Sequence, residues 1–250
     1  MSALVLKIIA CVTMVLDHIG HSCAIESLRI VGRLAFPIFV YLIYNGYQHT
    51  SSKWKYALRL AFFAIISQIP FNLFCYHTLW QGEGNVFFTL LAALLCLWSV
   101  DIMRKHKFLR WLCLLPTALV CALYNLEWFS SDYGIKGILL ILVFYFCDKK
   151  GFGWKILTVL GFFCAIYNSY IPSCAKTVYL LFLGAEQSFP SMGSWEITQA
   201  WSALSLPLIF AYNGKKGPSP KSKPLAKLCQ LGFYLFYPLH MVILWFLSIL

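Results

Sequence analysis

Apolar residues run along this chain in blocks long enough to cross a lipid bilayer, and polar residues gather between them. A bilayer core is about 30 Å thick and a helix rises about 1.5 Å per residue, so roughly 20 apolar residues span it. The pattern predicts nine spans, over residues 3–24, 28–48, 56–75, 86–103, 110–126, 134–147, 153–170, 196–212 and 231–250. Charges fall inside the first two. Residues 171–195 are too polar and too rich in Pro and Gly to span, and read as a loop or a re-entrant piece. The expected fold is all-α: a polytopic helical integral membrane protein, one transmembrane domain over 1–250. Only Lys7 is basic near the start and no small-residue cleavage site follows it, so a removable signal peptide is not expected.

Composition sharpens this picture. Hydrophobic residues make up 60% of the 250 and charged ones 12%, more apolar surface than a soluble domain of this length needs. The net charge of +11 is a topological signal. Basic clusters fall at Lys53, Lys55 and Arg59; at Arg104, Lys105, Lys107 and Arg110; at Lys149, Lys150 and Lys155; and at Lys215, Lys216, Lys221, Lys223 and Lys227. They occupy every second loop, and the other loops carry only Arg29, Arg33, Lys136 and Lys176. Basic loops stay inside, so the N-terminus is expected in the cytoplasm and the chain in a cell membrane, as a multi-pass protein. Nucleic acid is not an expected partner; the lipid bilayer is.

Against that background "VLDHIGH" (15–21) stands out. An ionisable group inside a span costs roughly 2.5–3.5 kcal/mol on insertion scales and marks a partner or a function. Residue 18 lies roughly 22 Å up the first helix, in the outer half of the membrane. Asn72, Asn85, Thr89, Tyr124, Asn125, Asp132, Tyr133 and Asn168 fall at the same expected depth and together predict an outward-facing cavity. Lys7 precedes His18 by eleven residues, three turns plus about 20°, so the two share a helix face with Cys11 and Met14 between them. Asp17 points about 100° away from His18 and is expected to pair with Arg33 or Arg29, with direct orientation of His18 as the alternative.

Several blocks resemble one family in its order. They are "LKIIACVTMVLDHIG" (6–20), "GRLAFPIFVYLIYNGYQHT" (32–50), "YALRL" (56–60), "ISQIPFNL" (66–73), "NVFFTL" (85–90), "DYGIKGILLIL" (132–142), "YNGKKG" (212–217) and "FYLFYPLH" (233–240). The chain resembles the TraX family of membrane proteins, associated with acetylation of conjugative pilin. The first blocks also resemble the wider transmembrane acyltransferases, whose hallmark is a basic residue, ten residues, then a histidine; Lys7 and His18 match it. Gln68 stands where the family more usually has an acid.

The resemblance implies acetyl transfer from cytoplasmic acetyl-CoA to an amine or hydroxyl at the outer side. The acceptor is a pilin-like peptide amine, an amino sugar, a lipid headgroup or a small amine. His18 is then the base, or carries the acetyl group itself, with Asp17 as its companion. Arg33, Asn85, Thr89 and Tyr133 are candidate oxyanion donors. Asn72, Asp132 and His240 join Asn85, Thr89 and Tyr133 in lining the acceptor site. The stripe Arg33, Pro37, Tyr41, Asn45 and Gln48 would line the acyl path, with Lys7 at its inner end. Asn45, His49, Lys53, Lys55 and Arg59 would meet Asn213, Lys215 and Lys216 of "YNGKKG" in a phosphate site for CoA.

Other chemistry has less support. No P-loop or dinucleotide fingerprint is present. The ten cysteines form no C-x-x-C pair, and no metal is expected. Cys23, Cys75 and Cys174 fall near the outer face, where a disulfide is an option, and Cys11 is a minor candidate for a thioester relay. Two other function classes remain: a transporter of a small solute or lipid with an Asp/His proton relay, and a non-catalytic membrane assembly partner.

Overall fold

The computed structural model describes all residues except 81, 126–129, 149–150, 183–189, 192, 219, 221 and 250. The expected basic positions Lys149, Lys150 and Lys221 lie outside the described residues. The described chain is helical, apart from one isolated parallel bridge between Gly84 and Ser131. In order the helices are α1 (Ala3–Ser22), α2 (Glu26–Gly32), α3 (Ala35–His49), α4 (Lys53–Tyr76), α5 (Val86–Lys105), α6 (Leu115–Asn125), α7 (Gly134–Cys147), α8 (Phe152–Ile166), α9 (Tyr170–Phe182), α10 (Ser194–Ala200), α11 (Ser205–Phe210) and α12 (Lys223–Ser248).

Among the described residues five helical segments are long and apolar enough to cross a membrane: Ala3–Ser22, Glu26–His49, Lys53–Tyr76, Val86–Lys105 and Pro224–Ser248. The bent pair α8 and α9 makes a sixth if taken as one span. The expected count of nine is not confirmed. Hydropathy counts apolar residues but does not see where a helix breaks. The predicted span 110–126 opens with a 3₁₀ turn at Arg110–Leu112, and the helix begins at Leu115, with Pro116 in its first turn. The span 196–212 splits into α10, a 3₁₀ turn and α11, because Pro207 has no N–H to continue the ladder back to Ala203. Residues 153–170 do not form one straight span: α8 stops at Ile166 and α9 leaves at 85°. The stretch read as a loop or re-entrant piece is thus helical as far as Phe182.

Apolar faces divide cleanly. On α1, Leu6, Ala10 and Met14 are buried while Val5, Ile8 and Val12 are exposed. On α4, Leu60, Phe63 and Ala64 are buried while Phe62, Ile65 and Ile69 are exposed. An outward apolar stripe at helical spacing is a liability in water and at home in lipid tails.

Inside, α1 packs on α2, α3 and α12; α12 packs on α4, α4 on α5, and α5 on α7. Two glycines let α1 and α2 approach each other. A Cβ on Gly32 would stand 2.3 Å from Asp17 Cβ, and one on Gly20 would stand 2.9 Å from the Arg29 amide. The α1–α2 turn thereby places Asp17 beside the residues that follow Gly32. At the opposite end of α1, the main chain of residues 1–4 joins the segment before α12. Asn213 N–H donates to the Met1 carbonyl (2.9 Å), Ala3 N–H to that of Lys215 (2.9 Å) and Leu4 N–H to that of Lys216 (3.1 Å). Those carbonyls satisfy amides that the first turn of a helix leaves unpaired.

Candidate active site

His18 and His240 meet near the far end of α1. His18 Nδ1 lies 2.7 Å from His240 Nε2, and the rings are nearly parallel, 10° apart with centroids 4.9 Å from each other. Phe74 of α4 tilts against His18 and Phe236 stacks on His240. The proton positions follow from one fixed point. His240 Nδ1 lies 2.8 Å from the Phe236 carbonyl oxygen, which only accepts, so this Nδ1 carries a proton. In a neutral ring Nε2 is then the acceptor, and His18 Nδ1 must donate to it. His18 Nε2 is left with a bare lone pair, and among the described residues it has no hydrogen bond. The ring is only half-buried. A histidine oriented through one nitrogen and free at the other is arranged as a base or nucleophile.

Asp17 pairs with Arg33, as the cost of an isolated charge leads one to expect. Arg33 is 3% exposed, and its Nη1 also donates to the Tyr133 hydroxyl at 3.3 Å. Tyr133 stacks on Phe36 with centroids 3.6 Å apart, so the guanidinium ties α1 and α3 to the turn before α7. The second role considered for Asp17, orienting His18, falls instead to His240. Asp132, in that same turn, is exposed yet set in a recess among neighbouring atoms. Burial in the recess pushes its carboxyl up to about 7; Glu83 and Asp17 add to the rise and Arg33 opposes it.

The amide-bearing residues do something other than line an acceptor site. Gln68 Nε2 donates to Asn72 Oδ1 (2.9 Å) and to the Glu83 carbonyl (2.7 Å), and its Oε1 accepts from Asn85 Nδ2 (2.9 Å) and Asn85 N–H (3.1 Å). Asn72 Nδ2 donates to the Leu79 carbonyl and Asn85 Nδ2 to that of Ala64, while Asn85 Oδ1 caps α5 at Phe87 N–H. Thr89 shares a 2.7 Å bond with Ser131, whose hydroxyl also meets that of Tyr124. Asn72, Asn85 and Thr89 are each 0% exposed. Their expected acceptor-lining and oxyanion roles give way to fastening the 77–85 loop and the α5 and α7 starts. Gln68 both donates and accepts here, which an ionised carboxylate in its place would not do. The Asn125 side chain lies outside the described residues.

At the other end of α1, Lys7 Nζ sits 5.4 Å from the Phe233 ring, with Arg59 and Lys216 as its neighbouring cations. Arg59 Nε donates to the Tyr234 hydroxyl at 3.1 Å. Asn45 Nδ2 donates to the Tyr212 hydroxyl (3.2 Å), and His49 Nδ1, 2.8 Å from the Asn45 carbonyl, donates to it. Asn213 Oδ1 closes a turn by accepting from Lys215 N–H, with Gly214 and Gly217 at positive φ of 75° and 88°. Lys7, Arg59, Lys215 and Lys216 are thus gathered, with Asn45 and His49 joined to the same segment through Tyr212. Lys53 departs from the expected cluster: its Nζ lies over the Tyr47 ring and it donates to the Tyr47 carbonyl. Tyr47 in turn donates to Asp101, which also accepts from Tyr145 and Lys105. Sequence reading missed this clasp, for which a lone buried acid at 101 was the one signal.

Cys11 and Met14 close the face between Lys7 and His18, being buried at 8% exposure each. A cavity of about 490 Å³ opens instead beside Tyr41 and Tyr212, between α3, α7, α8 and α11. It adjoins the expected second-span stripe and not the Lys7–His18 face. Cys23, Cys75 and Cys174 are free thiols, so the disulfide option is not taken up.

The family described as TraX protein matches residues 2–248. The chain is also 30% identical over 262 residues to "Probable fimbrial assembly protein FimC, serogroup H1" of Dichelobacter nodosus, covering 97% of this chain and 94% of that protein. No solved structure matches.

Proposed function

Because the chain belongs to the TraX protein family, we propose that it is a membrane-embedded acetyltransferase, carrying an acetyl group from cytoplasmic acetyl-CoA to an acceptor amine or hydroxyl at the outer side of the cell membrane. The acceptor best supported by the relative's name is a fimbrial, pilin-like subunit.

The observation that carries this reading is the His18–His240 pair, which leaves His18 Nε2 free to take a proton. Base catalysis of this kind is worth a factor of about 10²–10⁴. In the direct route an acceptor nitrogen or oxygen attacks the thioester carbon while His18 removes its proton. The tetrahedral intermediate then collapses, the C–S bond breaks, and the thiolate recovers the proton from His18. Arg33 is occupied by Asp17 and Tyr133, and holds the turn bearing Asp132 near the acceptor side. At the basic end, the exposed Lys215 and Lys216 with Lys7 and Arg59 supply cations for the CoA phosphates.

The test is mass spectrometry of envelope proteins from cells with and without the chain, and with His18→Ala. An acetyl group present only with the unaltered protein is the expected result. An envelope whose acetylation is the same in all three would overturn the reading.

A further inference from the structure

Tyr237 stands one turn before His240 on α12 and is 4% exposed. Its ring meets His240 at 5.7 Å and Phe87 edge-on at 5.1 Å. Among the described residues the hydroxyl makes no hydrogen bond of good geometry. It lies near the backbone amide of Val86, at the start of α5. That amide can only donate to the phenol oxygen, so the O–H proton has no acceptor. A buried donor without an acceptor is costly, at about 1–3 kcal/mol, and calls for an explanation. The groups that face it electrostatically are Asp132, Cys75 and Tyr133, and Tyr133 accepts from Arg33, the partner of Asp17 next to His18.

We propose that the Tyr237 O–H is an oxyanion donor for the acyl transfer at His18, an inference that rests on the acetyltransferase reading above. As the acceptor attacks, the carbonyl π electrons move onto oxygen and the acceptor's proton passes to His18 Nε2. The Tyr237 O–H then donates a hydrogen bond to the new oxyanion without giving up its proton. When the carbonyl re-forms, the C–S bond breaks and the sulfur takes the proton from His18. Two features therefore fall into place together: the unmatched hydroxyl, and its position on the helix that also presents His240. Donors of this kind act where charge develops in a water-poor site, and removing one typically costs a factor of about 10²–10³ in kcat.

The experiment compares the full-length protein with Tyr237→Phe and His18→Ala, purified in lipid nanodiscs, by release of free CoA thiol from acetyl-CoA in the presence of acceptor. Tyr237→Phe keeps the ring and removes only the hydroxyl. It is expected to lower kcat by about 10²–10³-fold, to change KM for acetyl-CoA little, and to leave the acid limb of the pH profile, set by His18, in place. Its melting temperature should stay level or rise, because the lost donor had no acceptor. A Tyr237→Phe protein with wild-type kcat, beside an inactive His18→Ala, would remove the proposal and leave the acetyltransferase reading standing. A lowered melting temperature would show that the hydroxyl has a structural bond, and would equally overturn it. If the unaltered protein releases no CoA, the acetyltransferase reading falls, and this inference falls with it.

Discussion

A single proton position organises the candidate site. Because Phe236 offers a carbonyl, His240 must present a lone pair to His18, and His18 must present its own outward. His18→Ala is expected to lower turnover by about 10²–10⁴-fold without unfolding the protein. His240→Leu, which removes the acceptor and frees the His18 tautomer, should also lower turnover, but by less than His18→Ala. His240→Gln keeps a carbonyl acceptor and should fall between the two proteins. CoA release by each variant, with melting curves alongside, checks the order. Asp132 supplies a pH signature. Its folded carboxyl titrates near 7, above the ordinary carboxylate range, so folding takes up a proton between about pH 4 and 7. Its favourable contribution is complete below the unfolded pKa and is lost as pH rises through 7. Asp132→Asn should therefore flatten the decline of melting temperature over that window, and parallel curves would refute this. At this scale the sequence was half legible. A charged pair in an apolar run drew attention to Asp17 and His18, and charge balance pointed to Arg33 or Arg29, of which the structure has Arg33. The His240 partnership was not readable, since no local spacing encodes which helix packs against which. The amides of Asn72 and Asn85 misled because depth in a membrane does not say which way a side chain faces.

Among the elements, the α1–α2 hairpin carries the strictest packing requirement. Gly32→Ala would force a Cβ into Asp17, where both the side chain and the backbone of α1 stand within 2.6 Å of the new atom. A loss of about 1–3 kcal/mol is expected from such overpacking. Gly232, on the outer face of α12, has nothing within 4 Å. There Gly→Ala should stabilise, by about 0.5–1 kcal/mol. Reversible unfolding of the two variants in mixed detergent micelles measures the contrast; equal stabilities would contradict the packing. The long helices were legible because their apolar runs are continuous. Among the shorter ones α7 matches its predicted 134–147; the breaks within 110–126, 153–170 and 196–212 were not legible, because the average over a window hides a proline such as Pro207 or a turn such as 167–169.

Across the whole molecule the candidate groups stand at two ends of one helix. Lys7, Arg59 and Lys216 lie at the beginning of α1, and His18 lies near its end. Acetyl-CoA bound to the folded state should raise the melting temperature. Neutralising Lys215 and Lys216 together should reduce that rise, and by more at low salt than at high, since exposed charges are screened by ions. A thermal shift series across ionic strength reads this directly, and a salt-independent effect would assign the anchoring to other residues. The gathering of these cations was legible from composition and motif. The main-chain pairing of residues 1–4 with 213–216 was not, because backbone hydrogen bonds leave no mark on residue type.

The partners of the first helix also differ in when synthesis delivers them. Arg33 follows Asp17 after a single turn of the hairpin, so the carboxylate can be neutralised almost as soon as it enters the bilayer. His18 waits for a residue 222 positions later, on α12. Until that helix inserts, the imidazole has no acceptor to fix its tautomer. The His18 tautomer is therefore set only once α12 is in place, and a chain cut short before α12 would carry the histidine without that orientation.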